Sequence, residues 1–142
     1  MGVHSEPRLY RKMVELLKLL NIYLNHFPKH EKYALCNNIR STAYGIYDLI
    51  TEGEKRYLKK TTLTNLDITH EKLRMQLYLA YELGYFRFKD GKQTDEHFLE
   101  REANRYQAIT ALNDEIGKMI GGWIKKLIAT TLDKSMRLLY IL

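Results

Sequence analysis

From Leu9 the chain repeats apolar residues at alternating steps of four and three: Leu9, Met13, Leu16, Leu20, Tyr23 and Phe27. That alternation is the seam pattern of helices packed side by side. Leu17 and Leu24 widen the stripe, while Arg8, Arg11, Lys12, Glu15 and Lys18 fall mostly outside it. Pro7 suits the first turn of this helix. Pro28 forces its predecessor out of the helical region, so the helix is predicted to end near His26 or Phe27. A second helix is predicted from about Glu31 to Thr51, with Leu35, Ile39, Thr42, Ile46 and Ile50 on its seam, Ala43 and Leu49 beside it, and Gly53 as its stop. A third begins in the basic stretch that follows and carries Leu63, Leu66, His70, Leu73, Leu77 and Ala80 before Gly84 ends it. In the connector beyond, Tyr85, Arg87 and Lys89 alternate with Phe86 and Phe88, which suits a short extended piece, and Asp90-Gly91 marks a turn. Thr94 starts a capping pattern with Asp95 and Glu96 in the first turn of a fourth helix. That helix is predicted from about Asp95 to Leu127, roughly 50 Å at 1.5 Å per residue, with Phe98, Tyr106, Ile109, Leu112, Ile116, Ile120, Trp123 and Leu127 on its core side.

The stretch Asp114–Lys126 organises the chain. Ile116, Ile120, Trp123, Ile124 and Leu127 keep helical spacing, yet Gly117, Gly121 and Gly122 lie among them. Three glycines give up about 3 kcal/mol of helix propensity against alanine. Gly117 and Gly121 are one turn apart, so they share a face that another backbone can approach closely. Gly122 sets a bare position beside Trp123, the only tryptophan. The expectation is a continuous helix with a tight packing or assembly seam at Gly117, Gly121, Gly122 and Trp123; the alternative is a helix end at Gly121-Gly122.

Four helices joined by short connectors define an all-α, antiparallel up-down four-helix bundle over residues 7–127. Residues 128–142 form an apolar C-terminal extension. It holds Leu132, Met136 and Leu139 at helical spacing and ends in Leu139-Tyr140-Ile141-Leu142, so it is expected to pack on its own bundle or on a neighbouring subunit.

The 142 residues suffice for one domain with a core of its own, without disulfide or metal. Cys36 is the single cysteine and adjoins the second seam, where a buried, inert thiol is expected. No apolar run approaches the roughly 20 residues of a membrane span. The N-terminal segment lacks the apolar core of a secretory leader, so a cytoplasmic location and no membrane partner are expected. The net charge of +6 changes the picture. A basic domain attracts polyanions. The densest cluster is Lys55, Arg56, Lys59 and Lys60 with Tyr57 among them. On the first turns of a third helix, Lys55 and Lys59, and likewise Arg56 and Lys60, fall one turn apart. Cations with an interleaved aromatic suit phosphate contact and base stacking.

Catalytic signatures are lacking. The sequence has no phosphate loop, no G-x-G-x-x-G, no H-E-x-x-H and no cysteine pair for zinc. His70 stands alone on an apolar stripe and is expected as a hydrogen-bonded seam histidine. The close acidic pairs Glu52/Glu54, Glu100/Glu102 and Asp114/Glu115 point to different helix faces. No catalytic residue, cofactor or metal is assigned.

Three stretches together resemble a known family: Phe27-Pro28-Lys29 with Ile39-Arg40 beyond it, Leu73-Arg74-Met75-Gln76-Leu77-Tyr78-Leu79-Ala80-Tyr81-Glu82-Leu83-Gly84, and Glu115-Ile116-Gly117-Lys118-Met119-Ile120-Gly121-Gly122-Trp123-Ile124-Lys125. The chain resembles the accessory variability determinant (Avd) of diversity-generating retroelements over about residues 9–127. It is similar more distantly to the four-helix-bundle proteins encoded in intervening sequences of ribosomal RNA genes. The residues after Leu127 and the Asp90-Gly91 connector depart from the pattern. The resemblance implies a barrel-like homopentamer of four-helix bundles, a non-catalytic partner of a reverse transcriptase. It would act with template RNA in making mutagenic complementary DNA that diversifies a target gene.

Two readings follow. In one, the chain binds the transcriptase and RNA or DNA, with Lys55, Arg56, Lys59, Lys60, Arg74, Lys125 and Lys126 contacting nucleic acid. In the other, it is an oligomeric module of the ribosomal-intervening-sequence type with no transcriptase partner.

Overall fold

The computed structural model describes residues 5–89 and 97–141. Four α-helices follow one another: α1 (Ser5–Leu24), α2 (Leu35–Lys55), α3 (Lys60–Glu82) and α4 (Phe98–Ile141). Each packs on its neighbours in sequence, and α1 also packs on α4. That ring order is the up-down bundle the hydrophobic pattern predicts. At one end lie the C-terminus of α1, the start of α2, the end of α3 and the start of α4. At the other lie the start of α1 and the α2–α3 connector, and α4 passes that end. The Tyr10 hydroxyl donates to Thr51 Oγ1 at 2.8 Å and so ties α1 to α2 there.

The seams account for the core. Leu9, Met13, Leu16, Leu20, Tyr23 and Phe27 are buried, as are Leu63, Leu66, His70, Leu73, Leu77 and Ala80. The second seam is rotated slightly from the predicted one. It runs Cys36, Ile39, Ala43, Ile46, Ile50 and Gly53; Thr42 turns its hydroxyl to the Asn38 carbonyl instead. Burial raises the pKa of the Cys36 thiol, which fits an inert core cysteine.

Several boundaries move. The regular part of α1 stops at Leu24, and His26 and Phe27 close it with shorter-range bonds to the Tyr23 and Leu24 carbonyls. A 3₁₀ turn, Lys29–Glu31, precedes α2. Gly53 does not stop α2. It is the next seam position, buried inside the helix, because a Cβ there would stand 2.8 Å from the Trp123 ring. Helix α3 starts at Lys60, not within the basic cluster, so Lys55 belongs to α2 and Arg56 to Lys59 form the connector. At the far end of α3 the predicted glycine stop holds. Gly84 has φ +80°, its N–H reaches the Tyr81 carbonyl, and the Tyr85 N–H reaches the Ala80 carbonyl. This pair of bonds is the Schellman closure.

Beyond Gly84 the chain turns back onto the bundle. Phe86 plugs the end, fully buried. Phe88 stacks on His26 with centroids 4.5 Å apart, and the Arg105 guanidinium lies over the Phe88 ring, 3.8 Å from its centre. Arg105 also donates to the Phe86 and Phe88 carbonyls, each at 2.8 Å. Tyr85 donates to Glu31 at 2.5 Å, which holds that carboxyl below the usual carboxylate range. The Asp90-Gly91 turn and the Thr94 cap with Asp95 and Glu96 lie outside the described residues, as does the side chain of Phe98.

Helix α4 is 44 residues long. It continues through all three glycines and through the extension. Of the two seats expected for the extension, its own bundle or a neighbouring subunit, the bundle does not cover it: Ile128, Leu132, Met136, Leu138, Leu139 and Tyr140 are all exposed. The bundle is shorter than α4, so the helix runs past the surface that would cover it. Among the described residues no helix is long and apolar enough to cross a membrane.

The glycines also divide. A Cβ on Gly117 would stand 2.8 Å from the His70 ring, whereas Gly121 and Gly122 have nothing within 4 Å of that position. The close approach at Gly117 is therefore a side chain, not a backbone. His70 donates from Nε2 to the Asn113 carbonyl at 2.8 Å, as a hydrogen-bonded seam histidine should. This bond fixes the ring that Gly117 admits. Gly117→Ala should therefore lower the melting temperature, since overpacking costs about 1–3 kcal/mol. Gly121→Ala should raise it by about 3 °C through helix propensity alone. A loss of stability or of oligomer mass in Gly121→Ala would place a neighbouring subunit against that face.

Candidate nucleic-acid interface

The basic side chains gather at the end where α4 leaves the bundle. From Gly117 onward the chain carries Lys118, Lys125, Lys126, Lys134 and Arg137 against one acid, Asp133. Trp123 anchors this part of α4 by lying against Gly53 and near Leu63, which brings the α2–α3 connector alongside. Leu127, Ile128 and Leu132 of α4 then line one groove together with Tyr57, Leu58, Lys59 and Lys60. The sequence-predicted cations Lys55, Arg56, Lys59, Lys60, Lys125 and Lys126 thus come to one end of the molecule, through the connector and the helix beside it.

These cations are not equivalent. Lys59 turns inward: its ammonium donates to the Gly53 carbonyl at 2.5 Å and to that of Glu54 at 3.3 Å. It satisfies carbonyls left open where α2 ends and meets the negative end of that helix dipole. Arg56 pairs with Glu52 at 3.2 Å across one helical turn. Lys55, Lys60, Lys125 and Lys126 are exposed. Tyr57 projects almost wholly into solvent, 93% exposed, which leaves both ring faces open for stacking.

Arg74 stands apart. It lies 14 residues along α3 from Lys60, about 21 Å at 1.5 Å per residue. Its guanidinium is held by Glu71, with Nε to the two carboxylate oxygens at 3.0 and 3.1 Å, and that pairing pulls the Glu71 carboxyl pKa down.

Sequence reasoning missed Arg8, Arg11, Lys118, Lys134 and Arg137. Arg8 and Arg11 are exposed at the start of α1, beside the same end. Between them and the bundle, Lys12 is engaged by Glu115 at 2.7 Å and Glu15 at 3.1 Å. The signal for the remaining three was present in the one-sided charge of the last part of the chain, but nothing there said that the part is helical and uncovered.

This basic end belongs to a recognisable bundle. A family model described as bAvd-like matches residues 8–127. The chain belongs to the bAvd-like family. The match spans α1 to α4 as far as Leu127 and leaves the overhang outside it. The family is one of non-catalytic accessory proteins. No individual curated protein matches the chain. Family membership accords with the resemblance carried by the Phe27-Pro28, Leu73–Gly84 and Glu115–Lys125 stretches, all of which lie within the matched residues.

Proposed function

We propose that this bAvd-like chain is the accessory protein of a diversity-generating retroelement. It binds the reverse transcriptase and nucleic acid, as template RNA or its complementary DNA, and so supports mutagenic cDNA synthesis and retrohoming. The supporting observation is the cluster of exposed cations, Lys55 at the end of α2, Lys60 at the start of α3 and Lys125 and Lys126 on α4, at one end of a bundle of this family. Such a surface suits phosphate neutralisation and stacking, since it offers charge and an open aromatic ring. Assembly as a barrel-like homopentamer would multiply that charge by repeating the basic end around a ring.

The purified chain, mixed with structured RNA and with duplex DNA, should bind both. Followed by fluorescence anisotropy across a salt series, log affinity should fall linearly with log salt, at about 0.7–0.9 per neutralised phosphate. Absence of binding at low salt would reject the nucleic-acid role.

A second reading, an assembly module with no transcriptase partner, draws on a different surface. Val14, Leu17, Tyr44, Tyr47 and Asp48 line a shallow groove between α1 and α2, and Val14, Tyr44 and Tyr47 are exposed. That reading predicts an oligomer with no salt-dependent binding of nucleic acid.

A further inference from the structure

The groove between the α2–α3 connector and the overhang of α4 has a chemistry that phosphate binding does not use. Its volume is about 500 Å³, and it is lined by Tyr57, Leu58, Ile128 and Leu132 with Lys60 and Lys134 among its charged members. Leu58 is 78% exposed and Leu132 60%. Single exposed apolar side chains are ordinary, but a contiguous set on two facing elements marks an interaction surface. One wall is pre-formed, because Lys59 pins the connector to the last carbonyls of α2. The apolar stripe continues along the overhang through Met136 and Leu139. From Ile128 to Leu139 it is about 16 Å long, or three helical turns.

We propose that this groove docks an acidic amphipathic helix of a partner protein, about three turns long, with its apolar face on Leu58, Ile128 and Leu132 and its carboxylates toward Lys60 and Lys134. Charge complementarity selects this occupant. No acidic side chain lines the groove among the described residues. A second copy seated symmetrically at this groove would set the same lysines against each other. Nucleic acid would meet the lysines but leave the aliphatic floor uncovered. A flat bilayer surface does not enter a concave site. A helix with apolar anchors at i, i+3, i+4 and i+7 and acidic flanks satisfies both floor and rim. The assignment shares Lys60 with the nucleic-acid reading but rests on the aliphatic floor, which that reading does not use.

The test uses the full chain and two synthetic amphipathic peptides of about 18 residues, long enough to form helix on a surface. One carries leucines on one face and glutamates on the other; its twin carries lysines in place of the glutamates. By anisotropy the acidic peptide should bind in the micromolar range and at least about tenfold tighter than the basic twin. Leu132→Asp should weaken it at least about tenfold and Lys134→Glu about threefold, with the melting temperature unchanged because both side chains lie on the overhang. Binding of neither peptide, equal binding of both, or indifference to Leu132→Asp would overturn the assignment. So would a sedimentation mass that falls to the monomer in Leu132→Asp, which would make the occupant a second copy. Binding to vesicles of phosphatidylserine and phosphatidylcholine that Leu132→Asp abolishes would also overturn it.

Discussion

Phe86→Ala is expected to lower the unfolding free energy by about 3–5 kcal/mol, with a fall in melting temperature on the order of 10 °C. The side chain is fully buried. Its ring meets Tyr23 at 5.6 Å and 89°, Phe27 at 5.5 Å and 82°, and Tyr106 at 5.8 Å and 61°. These edge-on contacts suit the aromatic quadrupole and add to the apolar area removed from water. The three partners come from the end of α1 and from α4, so none can close the gap without moving a helix. Truncation leaves a cavity at the end of the core, whose lining loses its contacts. Urea unfolding of the variant should show a lower midpoint at an unchanged slope. A loss within about 1 kcal/mol would mean that the segment after Gly84 is not a plug, and that the bundle closes its end without it.

The second large effect lies at the opposite end. Lys125→Glu with Lys126→Glu should weaken RNA and DNA binding at least tenfold at low salt and reduce the slope of log affinity against log salt by about two. Both lysines are exposed, so the melting temperature should stay within about 1 °C. Arg74→Glu is the contrast. Its guanidinium is already engaged by Glu71, and it lies about two-thirds of the way along α3 from the basic end. It should change affinity by less than about threefold. Equal losses in the two variants would spread the interface along α3 and take away the reading that one end carries it.

The two substitutions differ in how far the sequence pointed to them. Lys125 and Lys126 were legible as cations on a helix beside an aromatic. Phe86 was not legible as core. It lies outside any helix, and an alternating Phe-Arg-Phe run has the look of a strand edge. What decides its burial is the turn at Gly84, whose left-handed φ sends the chain back over the open end of the bundle. The signal was Gly84 itself; the direction of the turn was not.

Gly53 shows the same limit from the other side. A glycine near the expected end of a helix reads as a stop. In the folded chain it occupies a seam position that must be empty because Trp123, seventy residues later, needs the space. Local propensity and tertiary packing compete for such a residue, and packing prevails because a large ring packed against the core outweighs about 1 kcal/mol of helix propensity. Gly117 belongs to the same class, with His70 as the side chain it admits. Gly121 and Gly122 do not, and within one chain their bare face meets nothing.

Two polar seam positions on α4 were also invisible to the hydrophobic pattern. Glu102 is buried and pairs with Arg87 from the returning segment. Asn113 is fully buried, supplies its backbone carbonyl to His70, and has no hydrogen-bond partner for its side chain among the described residues. A periodicity argument passes over such positions, because it weighs residues by hydropathy and not by what the opposite helix offers.

By itself, the sequence determined the number of helices, the seams of α1 and α3 and most of those of α2 and α4, the up-down order that short connectors require, and the family. All of these are written in residues near one another along the chain, through the 3.6-residue repeat and the residues that break it. Only the tertiary structure decided which glycines are spaces for a ring, that Phe86 closes the core, that the cations of the connector and of α4 share one end, and that the last turns of α4 stand uncovered. Those outcomes depend on the relative lengths of the helices and on contacts between residues far apart in sequence, and no local pattern encodes what will lie opposite a given side chain.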